Sequence, residues 1–360
     1  MKLSMAKTRI AVIFGGVSNE HDISLISAAN VISNLDRTKY EVIPIGITKT
    51  GRWLFYPGDI DGISSGIWAE NPDCVPAAIL PDRMYKGIVK IADGVISSVK
   101  IDVVFPVLHG KNGEDGTIQG LLDMSGIPYV GNGCLASAAC MDKEATHSIL
   151  EFNGIKMARF FSIHSYELNR LDEICTDIAK KLGYPLFVKP ACSGSSVGVN
   201  KANDFESLKN AVKIAFSHDS KVLVEECING RELECAVLGT SAPFASEVGE
   251  ILPCNEFYDY DAKYILGTSG LEILADISSD SSLQIRETAV RAFKLIGCFG
   301  LARVDFFLTE DGTVYLNEIN TMPGFTSISM YPKLMENLGI PVSELLDRLI
   351  ELSYERESLI

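Results

Sequence analysis

"RIAVIFGGVSNEHDISLISAANVISNL", residues 9–35, reads as a buried strand, a glycine turn and then a helix. Ile10 to Phe14 form an unbroken apolar run that Gly15-Gly16 ends. Beyond the turn, Leu25, Ala28, Ile32 and Leu35 recur at helical spacing and supply one apolar stripe. "YEVIPIGIT" (40–48) and "IDVVFPVLHG" (101–110) repeat the buried-strand pattern. A glycine-rich loop and the helix "TIQGLLDMSG" (117–126) follow the second of them. Strands alternating with helices predict an α/β domain with a largely parallel sheet over residues 1–125.

The pattern then changes. A helix is expected around 135–152, then the strand "ARFFSI", a helix near 167–182, and the strands "YPLFVKP" and "SVGVNKA" around "ACSGS". "DFESLKNAVKIAF" is a further helix, with Asp204 as its N-cap. This block reads as a small α+β domain over residues 126–215. Residues 216–360 open with "KVLVEECI" and "RELECAVLG" and carry an irregular loop from 257 to about 280. A long helix, a hairpin and two C-terminal helices complete them.

Composition narrows the function. Lys+Arg number 32 against Asp+Glu 47, a formal net charge of -15. Such a surface repels nucleic acid and anionic membrane, so an anionic ligand must be held by a few locally placed cations. No apolar stretch approaches membrane-spanning length. The nine cysteines are scattered singly without a CxxC pair, which argues against a zinc knuckle or disulfide framework. Most sit among apolar residues and are expected to be buried free thiols, as in a reducing cytoplasm.

"LARVDFFLTEDGTVYLNEIN" (301–320) contains Asp311-Gly312 between two alternating apolar runs, a strong hairpin signal. A two-residue loop there pairs Glu310 with Thr313, and therefore Asp305 with Glu318 and Arg303 with Asn320. All four side chains then leave one face. Two opposed carboxylates repel unless a cation lies between them. With the Asn320 amide they form an all-oxygen set suited to magnesium carrying phosphate, and Arg303 stands beside them to meet negative charge. The same four residues also suit a solvent-facing sheet on which Arg303 bridges two acids. "KPACSGSSVGV" (189–199) is no Walker A loop, since GxxxxGK[ST] occurs nowhere, and alone it suits a flexible turn. Lys189 at its base and Lys143 in "CMDKEATH" are cations fit for phosphate. "VLVEECINGREL" offers Glu225 and Glu232 around a strand end that can meet a purine and a ribose.

In order, "FGGVSNEHDISL", "VLHGKNGEDGTIQG", "MDKEATH", "FVKPACSGSSVGV", "EFYDYDAKY", "ARVDFF" and "LNEINTMPGFTSISMYP" resemble the D-alanine–D-alanine ligases of the ATP-grasp superfamily, over nearly the whole chain. The resemblance implies a two-lobed ATP-grasp fold after the N-terminal domain, a homodimer, and ATP and D-alanine as substrates. It implies that Asp305, Glu318 and Asn320 hold two magnesium ions, or manganese in their place. Lys143, Lys189 and Lys263 would meet ATP phosphates, with Glu225 and Ile228 at the adenine and Glu232 at the ribose. Glu20 would bind the first ammonium with His109 nearby, and Glu20, Ser195 and Tyr264 would tie the glycine-rich loop to the lid. Lys263, Arg303, Gly324 and Ser329 would surround the transferred phosphate and second D-alanine, with Met330 on the pocket wall.

Met330 stands where these ligases commonly carry Leu. "DAKY" resembles the D-alanine-adding type, whereas the related D-lactate enzymes carry a His-containing lid. A D-alanine–D-serine ligase of the vancomycin-resistance type is the alternative, since Met for Leu changes the pocket by little in volume. A third reading, from a different class, is an inactive ATP-grasp protein that only binds nucleotide.

Overall fold

The computed structural model describes residues 6–252 and 270–357. Three sheets account for the strands. The first contains β1 (Thr8–Gly15), β2 (Tyr40–Ile47), β3 (Trp53–Phe55), β4 (Val75–Ile79), β5 (Gly87–Ala92), β6 (Val95–Lys100) and β7 (Val103–Pro106), ordered β6-β5-β4-β3-β2-β1-β7. Only β2, β1 and β7 pair in parallel; the four strands beyond β2 add antiparallel. The expected largely parallel sheet is therefore mixed. The reason is connection length: a crossover helix, His21–Asn34, returns the chain from β1 to β2, whereas Asp93-Gly94 joins β5 directly to β6. Both loop residues have positive φ, the geometry of a tight hairpin turn.

Ile10 to Phe14 are completely buried, as a strand covered on both faces requires. Trp68 meets Phe14 edge-on at 5.1 Å and lies flat against Gly46, where a Cβ would come within 2.2 Å of the indole. Only glycine fits there.

The second sheet contains β8 (Phe160–His164), β9 (Leu186–Pro190), β10 (Asn200–Ala202) and β11 (Lys221–Glu226), ordered β10-β9-β11-β8. β11 lies past the boundary expected at residue 215, so this sheet extends to Glu226. Asp204 caps the following helix as expected, its Oδ1 accepting the Ser207 N–H at 2.8 Å. The third sheet contains β12 (Gly230–Gly239), β13 (Phe244–Leu252), β14 (Gly270–Glu272), β15 (Gly300–Thr309) and β16 (Val314–Asn320), ordered β14-β13-β12-β15-β16 and antiparallel throughout. The helix Ser279–Ile296 covers it with Ile285, Ala289, Ala292, Phe293 and Ile296 buried at helical spacing. The last helix, Val342–Glu357, packs back on the first lobe. Leu345, Leu346 and Leu349 join Val12, Phe14 and Phe105 in one core.

Two local departures matter for the site. The β15–β16 loop has three residues, not two. Thr309 and Thr313 face each other, and Gly312 sits at φ +80°, the left-handed position that closes such a loop. An extra residue on β16, Asn317, falls between the pairs Asp305–Glu318 and Phe306–Leu316, and this bulge restores the expected register. Asp305 faces Glu318 and Arg303 faces Asn320. The expected single helix around 135–152 is two, Cys134–Met141 and Lys143–Phe152, broken at Asp142. Asp142 caps the second by accepting the Ala145 N–H at 3.2 Å, which puts Lys143 at the first helical position. Of the cysteines within the described residues, Cys140, Cys175, Cys235 and Cys298 are buried, but Cys134 and Cys192 are exposed, contrary to the expectation of mostly buried thiols.

Candidate functional site

A cleft opens where the three sheets meet. Glu20, His109, Lys143, Ser195, Arg303, Glu318, Asn320 and Gly324 line it together. These come from all three sequence blocks and are carried by strands, helix starts and the loops between them.

The hairpin supplies the charged floor. Arg303 donates to both oxygens of Asp305 at 2.7 Å each and reaches Glu234 at 3.2 Å. Asn320 donates its amide to Asp305 at 2.9 Å. Burial alone would lower the arginine's pKa; Asp305 and Glu234 outweigh it and hold the guanidinium well above its ordinary value. The arginine does bridge two acids, but they are Asp305 and Glu234, and its side chain is only 18% exposed. This face of the hairpin is thus partly covered rather than freely solvated. Glu318 lies 4.0 Å from Lys143. The bulge also turns Asn317 out of the core, so that its Oδ1 lies 3.4 Å from Lys189 Nζ.

The glycine-rich loop forms the roof. Ser195 and Ser196 have positive φ, uncommon for residues with a Cβ, and Ser195 Oγ donates to Glu20 Oε1. Glu20 lies between Gly110 and Gly194, and Lys143 Nζ holds the loop by donating to the Ser193 carbonyl at 2.7 Å. Behind the cleft, Lys189 pairs with Glu225 at 2.6 Å, and His147 approaches the other Glu225 oxygen at 3.5 Å. Burial pushes the Glu225 carboxyl up, but Lys189 and His147 prevail and bring it down to about 2. Glu232 adds to the negative field on Lys189. Ile228 lies in the short link between β11 and β12.

Other expected residues sit apart from the cleft wall. Ser329 Oγ accepts the Thr326 N–H at 3.0 Å and lies beneath Gly324. Met330 is buried in the core, its sulfur against Gly249, and does not line the cleft. Lys263 and Tyr264 lie outside the described residues. Sequence reading missed Glu114, inside the motif "HGKNGEDG". It lines the cleft and accepts the N–H groups of Gly110 at 2.8 Å and Met322 at 3.1 Å. Burial, and then the charge of Glu20, push its carboxyl up to about 8. Glu234 was also missed, although it shares a face with Glu232 on β12 and stands opposite Asp305.

The family models for the D-ala D-ala ligase N-terminus and C-terminus match residues 9–132 and 149–351. The chain belongs to the D-alanine–D-alanine ligase family. Curated D-alanine–D-alanine ligases from Caldicellulosiruptor bescii and Acetivibrio thermocellus are 51% and 52% identical to it. They match over 98% and 97% of this chain and 96% of each relative. Among solved structures, the VanG D-Ala:D-Ser ligase of Enterococcus faecalis superposes with a TM-score of 0.88 at 42% identity, covering 97% of this chain and 100% of that one. The D-alanine-D-alanine ligase of Coxiella burnetii gives 0.85 at 35% identity, over 99% and 96% of the two chains. The family's ATP-grasp fold is thus present. Among the described residues no helix is long and apolar enough to cross a membrane.

Proposed function

We propose that this chain joins two D-alanine molecules into D-alanyl-D-alanine at the expense of ATP, for peptidoglycan synthesis in the cytoplasm. The observation that carries the reading is the convergence in one cleft of Glu20, Ser195, Lys143, Arg303, Glu318 and Asn320. A carboxylate is a poor electrophile, so the first D-alanine carboxylate attacks the γ-phosphorus of ATP, ADP leaves, and an acyl phosphate forms. The amine of the second D-alanine then attacks the carbonyl carbon, phosphate leaves, and the amide remains. Glu20 receives the ammonium of the first D-alanine. Lys143, Lys189 and Arg303 offset phosphate charge, and Arg303 with the Gly324 N–H meets the oxyanion of the second step.

Asp305, Glu318 and Asn320 offer only oxygen donors, and the two acids stand opposite each other across paired strands. That set fits magnesium or manganese completed by phosphate oxygens and water, provided the Asn320 amide turns its oxygen inward. Among the described residues no group of three or more His, Cys, Asp or Glu could hold an ion by itself. Such an ion, when bound, supplies charge neutralisation to the phosphate tail. The resemblance also supports a homodimer.

D-Serine as second substrate is the alternative, favoured by the likeness to VanG. D-Alanine is preferred because the curated relatives at 51% and 52% identity carry that activity in their names. Offered ATP with equal D-alanine and D-serine, the purified protein is expected to make mainly D-alanyl-D-alanine by mass. Predominant D-alanyl-D-serine overturns the assignment.

A further inference from the structure

The turn after β16, Met322 to Phe325, carries the Gly324 N–H, and the first lobe fastens it on both sides. Glu114 Oε1 accepts the Met322 N–H at 3.1 Å, while His109 Nδ1 lies 3.1 Å from the Met322 carbonyl. Ser27 Oγ accepts the Phe325 N–H at 3.3 Å, and Asn30 donates to the Phe325 carbonyl at 2.6 Å. A carbonyl can only accept, so Nδ1 of His109 carries a proton; burial lowers the imidazole's pKa and favours the neutral ring, in which Nε2 accepts from Ser27 Oγ at 3.1 Å. His109 is a tether whose two nitrogens are both engaged. Glu114 does more than tether: its second oxygen accepts the Gly110 N–H at 2.8 Å, so a single carboxyl fixes the turn against the loop that faces Glu20.

We propose that Glu114 is a positioning residue for amide-bond formation, setting where the Gly324 N–H meets the oxyanion through its two backbone contacts. This rests on the ligase reading above. A displacement of about 1 Å in such a group costs on the order of 100-fold. Glu114 bonds to Gly110 and Met322 and to none of Lys143, Lys189 or Glu318, so phosphate transfer is expected to suffer less than amide formation. An acyl phosphate that waits too long for the amine is attacked by water instead, which returns D-alanine and phosphate, so ATP is spent without product.

The test is Glu114→Gln, which keeps the shape but offers one acceptor and turns an NH2 toward a backbone donor. ADP and dipeptide are measured together with the KM for ATP and the melting temperature. Wild type is expected to release the two in equal amounts. The variant should lose about 10- to 100-fold in dipeptide turnover, release a clear excess of ADP over dipeptide, and keep its KM for ATP within about two-fold. Equal ADP and dipeptide in the variant, with or without a lower melting temperature, overturns the proposal. Should Glu114→Gln not fold, Ser27→Ala carries the same readout, with a smaller excess expected and equal release again overturning it. A wild-type protein that forms no dipeptide sinks the ligase reading instead.

Discussion

Replacing Glu225 with glutamine removes the partner of a buried lysine without changing side-chain shape. Lys189 and Glu225 lie 2.6 Å apart with side chains 15% and 5% exposed, so little water can reach the lysine left behind. Breaking one side of such a pair costs about 3–5 kcal/mol. The pH dependence gives an independent handle. The carboxyl is depressed from 4.5 to about 2 in the folded protein, so its stabilisation is present above 4.5 and fades as pH falls toward 2. Over that interval the shift corresponds to roughly 3 kcal/mol, of which about 1.4 kcal/mol is gone by about pH 3.5. Urea unfolding of wild type and variant at neutral pH and near pH 3.5 measures both quantities. The stability gap should be several kcal/mol at neutral pH and narrow on acidification. A gap under about 1 kcal/mol, or one indifferent to pH, refutes the reasoning about this pair.

Gly46→Ala places a methyl group inside the Trp68 ring and should cost about 1–3 kcal/mol in the same unfolding assay, provided Trp68 cannot move. An unchanged midpoint contradicts that packing. Asp142→Ala removes the cap of the helix Lys143–Phe152 and a 2.6 Å partner of Lys221. Stability should fall by about 1–2 kcal/mol, and the KM for ATP should rise as Lys143 loses its fixed start; no change in either counts against the helix break as the device that aims this lysine.

How much of this was legible in the sequence can be argued from the hairpin. Alternation placed Asp305, Glu318, Arg303 and Asn320 on one face, and the pairing is observed. The loop length was misread because Asp-Gly fits both a two-residue turn and the end of a three-residue one. The bulge cancelled the error, a coincidence that periodicity alone cannot foresee. The mixed first sheet had a readable cue in Asp93-Gly94, whereas β11 fell past its expected boundary because a strand's sheet partners are not written in its own residues. Asp142 followed by Lys143-Glu144 was a capping signal overridden by the long apolar pattern. Glu114 was passed over because its partners are backbone groups more than 200 positions away in one case, at Met322. Met330 entered the core because its neighbours Phe325, Tyr331 and Leu334 are buried together, a fact of packing.

The central claim is that the acids on β15 and β16 serve phosphate transfer to D-alanine. Glu318→Gln, compared with wild type for ADP release dependent on added D-alanine, measures it most directly. Wild type should release ADP steadily once D-alanine is present, and the variant should fall by about 1000-fold, several kcal/mol of lost stabilisation, while melting at nearly the same temperature. Near-normal turnover in the folded variant, or no D-alanine dependence in wild type, contradicts the account.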